Sequence, residues 1–325
     1  MKGLATVFGG SGFVGAQIIR TLAKRGYRLR VAVRRPGRAY RLPMLGDVGQ
    51  IEIVQANVRD QDSVARALDG AETCVNAAAV LYESGRQTFE ALHVEGAARI
   101  AATAKAAGVG RLTHISALGA DPTSPSAYAR TKAAGEVAVR SAFPEAVVVR
   151  PSVIFGPGDA FFNRFAALAV STPALPLIGG GAMRFQPVFV GDVAAAVGAA
   201  LSDPSAQGQT YELGGPAVYS FEALMRLMLV VIERRAPLMR IGFGVASRLG
   251  QVGDLMARTG LITPPITSDQ VELLRVDNVV TPGALGLADL GVSPTPVEAV
   301  IANYLYRYRK GGQYAEALHA PAAVS

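Results

Sequence analysis

Short apolar runs rich in β-branched residues recur through the first half of the chain. Each is followed by a longer stretch in which apolar positions return every three or four residues. The runs lie at 4–8, 28–33, 51–55, 72–76, 112–115 and 146–150, and the helical stretches near 13–24, 61–69, 86–107, 127–142 and 160–170. Runs that are apolar throughout, rather than alternating, predict strands buried on both faces, and their alternation with helices predicts a parallel sheet. The expected fold is therefore α/β and doubly wound. Beyond Pro151 the pattern loosens, with Pro157, Pro173, Pro176 and the glycines at 179–181. Strands are expected at 186–190 and 210–213, a helical region at roughly 220–260 and a final amphipathic helix near 296–309. The Ala-rich end, 315–325, reads as frayed. The chain divides into a domain over 1–150 and a smaller C-terminal lobe over 151–325, partly interleaved and carrying amphipathic helices.

A chain of 325 residues, half of them hydrophobic, can bury a sizeable core without staples. Cys74 is the only cysteine. That excludes an intrachain disulfide and a cysteine zinc site, and fits a reducing compartment. His93, His114 and His319 are scattered, which argues against a histidine metal cluster. The net charge of +7 favours an anionic partner: a phosphate-bearing cofactor, an anionic membrane surface or an acidic protein. Basic runs interleaved with aromatics are missing, so nucleic acid is not an expected partner. The longest apolar candidate, 227–232, falls far short of the roughly 18 residues a membrane span needs. Met1 and Lys2 lead straight into the first strand pattern. No signal or transit peptide is expected, as in a chain of bacterial type.

The first strand pattern runs into Gly9-Gly10-Ser11-Gly12-Phe13-Val14-Gly15, where a helix begins. Gly9 would permit the sharp turn, Gly12 the close approach of a pyrophosphate, and Gly15 tight helix–strand packing. The helix N-terminus would offer free N–H groups to phosphate. A glycine-rich turn without a ligand is the alternative, and the strand–turn–helix context weighs against it. Gly9, Ser11, Gly12, Phe13, Val14 and Gly15 are thus the first candidate cofactor contacts. The second strand ends in Arg34 and Arg35, with Arg38 and Arg41 behind them and no acidic residue. Arginine there suits a ribose 2′-phosphate, so NADPH or NADP is expected ahead of NADH. A solvated basic loop, or one that docks an acidic partner, is the other reading. Asn57 and Val58 follow the third strand, where adenine would lie. Ala77 and Ala78 follow the fourth, where small residues let backbone lie against the nicotinamide ribose. Asp60 can serve simply as a helix N-cap. Tyr128 and Lys132 stand at i and i+4 on one helix face. An ammonium beside a phenol is expected to lower the phenol pKa and fit it for acid–base work near neutrality.

Gly9-x-x-Gly12-x-x-Gly15, the Asn76-Ala-Ala segment, Tyr128-x-x-x-Lys132 and Arg150-Pro151 together resemble the short-chain dehydrogenase/reductase superfamily, in its extended or atypical branch. The resemblance covers nearly the whole chain and implies a Rossmann domain, with Tyr128 as proton donor or acceptor and Lys132 orienting the ribose. Two positions depart from the pattern. Ser116 fills the first place of the family's serine pair, whereas Ala117 and Leu118 occupy the usual catalytic places, so Ser116 is either the third catalytic candidate or a structural residue. His93 stands where extended members often carry Asn. Residues 126–167, 186–194, 287–298 and 304–314 are similar to the dehydrogenase-like accessory subunits of respiratory complex I, the NADH:ubiquinone oxidoreductase of the respiratory chain. That resemblance implies a reduced dinucleotide held as a structural cofactor without turnover, and partners among the peripheral- and membrane-arm subunits. It also implies a peripheral position on the cytoplasmic side of a bacterial inner membrane. A free-standing reductase, epimerase or dehydratase acting on a nucleotide sugar or carbonyl compound is the alternative. A helix with an apolar face rimmed by Arg, drawn from 221–235 or 238–249, would lie on a membrane or partner surface, or else pack on the core.

Overall fold

The computed structural model describes residues 2–259 and 264–312. Its central sheet comprises β1 (Lys2–Phe8), β2 (Tyr27–Val33), β3 (Ile51–Gln55), β4 (Thr73–Asn76), β5 (Arg111–Ile115), β6 (Val147–Pro151) and β11 (Thr210–Leu213). All pairs are parallel, in the order β11-β6-β5-β4-β1-β2-β3. Each apolar run of the first half forms one of these strands. Ala5 and Val7 of β1 enter one core and Phe8 the other, which is why the run is apolar at successive positions.

Helices cover both faces. On one, α1 (Phe13–Lys24) and α6 (Val190–Ala200) bury Ile18, Ile19, Leu22, Val193 and Val197 against the sheet. On the other, α2 (Gln61–Leu68), α3 (Glu95–Ala106) and α4 (Ala127–Ala142) bury Val64, Leu68, Ile100 and Val139. The helical stretch expected over 86–107 starts later, with a π-helical turn at Glu90–Val94 leading into α3. Two segments from beyond residue 150, α6 and β11, complete this first lobe: α6 packs on α1 and β11 pairs with β6.

The second lobe contains β7 (Ile154–Phe155), α5 (Phe162–Ser171), β8 (Leu175–Ile178), β9 (Arg184–Phe185), β10 (Val188–Phe189), β12 (Tyr219–Ser220), α7 (Phe221–Val231), β13 (Leu238–Ile241), α8 (Phe243–Thr259), α9 (Ser268–Leu273) and α10 (Glu298–Leu305). Phe162, Phe221, Leu224, Met225, Met228, Ile301 and Leu305 form its core. The strand expected over 186–190 is divided: Pro187, which has no N–H to donate, separates β9 from β10. The helical region expected over 220–260 is interrupted as well. Glu233 adopts a left-handed φ of 55° after α7, and beyond Pro237 the chain runs as β13, parallel to β8. The last helix is shorter than expected and ends in a 3₁₀ turn at Tyr306–Tyr308. The Ala-rich end at 315–325 lies outside the described residues.

Candidate functional site

Strands β1 and β4 are neighbours although β2 and β3 come between them in sequence, so the sheet reverses its winding between them. In open α/β sheets the crevice at the carboxyl ends of such strands takes the ligand. Gly9 ends β1 with φ of 77°, and a Cβ there would stand 2.5 Å from the carbonyl oxygen of Ala77, just after β4. A Cβ on Gly15 would stand 2.3 Å from the Gly9 carbonyl. These two glycines are required by the protein's own packing. Gly12 is different: its Cβ would meet only the Gly9 oxygen, at 3.3 Å, and the residue is exposed beside exposed Ser11 and half-buried Phe13 and Val14. No side chain caps α1, and its first turn holds no acidic residue. Its leading N–H groups and positive end therefore face open space.

Arg34 and Arg35 leave β2 exposed. The Arg34 guanidinium is held below its ordinary pKa by partial burial, and then by the charges of Arg35, Arg59 and Arg38. Arg59 reaches this group from the end of β3, and the sequence reading had not given it that role. Its backbone N–H and Nε both donate to Asn57 Oδ1, at 3.2 and 3.4 Å, and Nη1 donates to the Arg86 carbonyl at 2.6 Å. Among the described residues no carboxylate pairs with these four arginines. Asn57 thus positions Arg59, and the Val58 carbonyl accepts from Arg99 Nη1 at 2.8 Å. Asp60 caps α2, accepting from the Ser63 N–H at 2.9 Å. The backbone N–H of Ala78 donates to Asn76 Oδ1 at 3.1 Å, which fixes the small-residue segment after β4. An exposed Gly12, an uncapped α1 and a cluster of arginines without a carboxylate partner are a donor set that fits the phosphates of a dinucleotide.

Tyr128 and Lys132 lie on α4, at the carboxyl edge of β5. Lys132 Nζ donates to the Ile115 carbonyl at 2.7 Å, and burial draws its pKa down to about 8. Tyr128 stands edge-on to His93 and Phe89, with ring centroids 5.3 and 5.7 Å away. Its pKa moves opposite to the expectation: burial, seconded by the charge of Asp269, pushes it up to about 12.

His93 is buried, and burial holds its pKa down to about 3. Its Nε2 accepts from the Val80 N–H at 3.2 Å, so the proton sits on Nδ1, 3.2 Å from Thr131 Oγ1, which in turn donates to the Ala127 carbonyl. His114 is neutral for the same reason; its Nδ1 faces the Asn76 amide at 3.1 Å, and its Nε2 is buried without a partner.

Ser116 finds its partner on α4. Its hydroxyl donates to Glu136 Oε1, and Glu136 is clamped by Arg150 through Nε at 2.9 Å and Nη2 at 2.7 Å. Arg150 also meets Glu212 at 3.4 Å, and Glu212 accepts from the Thr281 N–H. The serine belongs to a buried charge network joining α4, β6 and β11. A residue that sequence reasoning missed, Asp269 of α9, binds the first turn of α4: it accepts from Ser126 Oγ at 2.8 Å, Ala127 N at 2.5 Å and Tyr128 N at 3.2 Å. The only local signal for α9 was the capping box formed by Thr267 and Gln270.

The sequence model of the NAD dependent epimerase/dehydratase family matches residues 5–214. The chain is 37% identical over 316 residues to NADH dehydrogenase (ubiquinone) 1 alpha subcomplex subunit 9, mitochondrial, of Arabidopsis thaliana, covering 95% of this chain and 79% of that protein. The Mus musculus protein of the same name is 34% identical over 310 residues, covering 94% and 80%. Among solved structures, an NADPH-dependent quinone oxidoreductase of Escherichia coli in complex with NADPH superposes with a TM-score of 0.73 at 20% identity, covering 93% of this chain and 99% of that one.

Proposed function

Because this chain belongs to the NAD dependent epimerase/dehydratase family, we propose that it is a dinucleotide-binding accessory subunit of respiratory complex I that holds NADPH or NADP without turning it over. One contrast carries the reading: Gly12 is exposed at the uncapped start of α1, where a pyrophosphate would sit, whereas the serine expected beside Tyr128 is committed to Glu136. Gly9, Ser11, Gly12, Phe13, Val14 and Gly15 would hold the pyrophosphate, and Arg34, Arg35 and Arg59 the 2′-phosphate. Asn57 and Val58 would border the adenine, Ala77 and Ala78 the nicotinamide ribose, and Lys132 its hydroxyls. A bound reduced nicotinamide could supply a hydride only to an activated acceptor. Burial pushes the Tyr128 phenol up to about 12, and the Ser116 hydroxyl, the expected carbonyl-polarising donor, is spent on Glu136. Losing one such donor typically costs about 10²–10³ in rate.

Near-full-length kinship to complex I subunits supports the assembly. The free-standing reductase remains the second reading, favoured by the retention of Tyr128 and Lys132. For attachment, α8 presents exposed Val245, Leu249, Val252 and Leu255, flanked by exposed Arg248 and Arg258. An open groove of about 640 Å³ beside α7 adds Arg226, Arg234 and Arg235. By contrast Phe221, Leu224, Met225 and Met228 of α7 are core. Among the described residues no helix is long and apolar enough to cross a membrane. Kinship to complex I subunits supports the peripheral position we assign, on the cytoplasmic face of a bacterial inner membrane. Mass spectrometry of the ligand released on denaturation tests the cofactor: NADP(H) is expected, and NAD(H) alone would sink the arginine assignment. Arg34→Ala with Arg59→Ala should lose NADPH while retaining NADH binding. Affinity capture from membranes tests the assembly, with complex I subunits expected to co-purify. A wholly soluble protein that oxidises NADPH with a carbonyl substrate, and stops doing so as Tyr128→Phe, would favour the second reading.

A further inference from the structure

Residues 264–278 cross the carboxyl edge of the sheet. The Arg164 guanidinium on α5 donates to the carbonyls of Pro264 and Pro265. Asp269 then binds Ser126, Ala127 and Tyr128 at the start of α4. Gln270 Nε2 donates to the Leu81 carbonyl at 3.3 Å, in the loop that follows Ala77 and Ala78. Asn278 closes the crossing: its Oδ1 accepts from Ser152 Oγ at 2.6 Å and Val153 N at 3.0 Å, and its Nδ2 faces the Leu118 carbonyl at 3.4 Å. The chain is therefore fastened to the loops after β4 and β5, to the first turn of α4 and to the end of β6. Those are the walls of the crevice in which a second substrate would have to meet the nicotinamide.

We propose that residues 264–278 form a strap closing the substrate side of the dinucleotide crevice, with Asp269 as its latch on the helix that carries Tyr128 and Lys132. The inference rests on the dinucleotide site proposed above, and it adds why a ligand held there would neither exchange nor react. The latch is a carboxylate with charge-assisted bonds to a hydroxyl and two helix amides, stronger than neutral bonds of the same number. Its bonds run to the Tyr128 backbone N–H and not to the phenol oxygen.

The full chain loaded with NADPH provides the test. Bound NADPH fluorescence should resist quenching by acrylamide in the wild type. Asp269→Ala should raise both the quenching constant and the rate of NADPH release into excess NADP by about tenfold, the change that about 1.4 kcal/mol would produce. Gln270→Ala should move both in the same direction by a smaller factor, and it serves if the first variant folds poorly. Hydrogen exchange of peptides covering 77–82 and 116–128 should accelerate in both variants. Unchanged quenching, release and exchange would overturn the strap. If the wild-type chain binds no dinucleotide, the cofactor reading fails, and acceleration of exchange at 77–82 on cutting the latch decides the strap alone.

Discussion

Lys132 is 2% exposed, and burial moves its amine from 10.5 to about 8. An unfolded lysine keeps its proton through that interval, so the unfolded chain binds more protons there and stability rises as pH climbs from 8 towards 10.5. Below pH 8 the fold carries a cost of about 3 kcal/mol at 1.36 kcal/mol per pKa unit. Lys132→Met should therefore stabilise the ligand-free protein at pH 7 by about 2 kcal/mol, allowing for its lost hydrogen bond, and the gain should vanish near pH 10.5. Denaturant titrations at the two pH values check this. For Tyr128, Asp269→Asn should lower the phenol pKa while leaving it above 10, because burial is the larger cause; ring-carbon NMR, assigned by Tyr128→Phe, reads it. The Tyr128–Lys132 pair was legible in the sequence through its spacing. Its electrostatics were not, since Asp269 stands 141 residues further along the chain and burial depends on Phe89 and His93.

The loop from β1 to α1 separates a ligand's demand for glycine from the protein's own. Gly12→Val should abolish NADPH binding, because its side chain would fill the phosphate's place, and should cost the fold less than Gly15→Ala, since its Cβ meets only the Gly9 carbonyl, at 3.3 Å. Gly15→Ala should instead destabilise the fold by about 1–3 kcal/mol, the usual cost of overpacking, as its Cβ presses on the Gly9 carbonyl. Calorimetry with and without NADPH tells the two apart. The π-helical turn at Glu90–Val94 seats His93, whose ordinary pKa of 6.5 falls to about 3 in the fold. The unfolded chain takes up that proton first, so stability should fall as pH drops from 6.5 towards 3, and His93→Gln should flatten this limb. Elements set by local pattern, such as α1, α4 and β11, were readable to the residue. Those governed by a single Pro or by a partner strand were not: β13 exists because β8 lies beside it, which no local periodicity records.

At the scale of the molecule, Arg150 ties the two halves of the chain together by bridging Glu136 and Glu212. Arg150→Met should cost about 3–5 kcal/mol, as expected when a buried pair loses one partner, and adding Glu136→Gln and Glu212→Gln should recover part of it; urea denaturation measures both. Leu249→Glu with Val252→Glu on α8 should release the protein from membranes while NADPH stays bound, as fractionation and fluorescence would show. The doubly wound topology was legible because strands and helices alternate. The lobe boundary was less so, since β11 returns to the sheet after a long excursion, and only the structure shows that it seals β6. That return has a temporal consequence. The ribosome delivers β6 well before β11, so Val147, Val148 and Val149 wait as a bare apolar strand edge. At roughly 5–20 residues per second the wait for the next 60 or so residues is on the order of 3–12 s. Unpaired edges of this kind template intermolecular pairing, so nascent chains halted after β6 has emerged from the ribosome but before β11 has should be the form that a holdase chaperone captures, and chains halted beyond 250 should escape it.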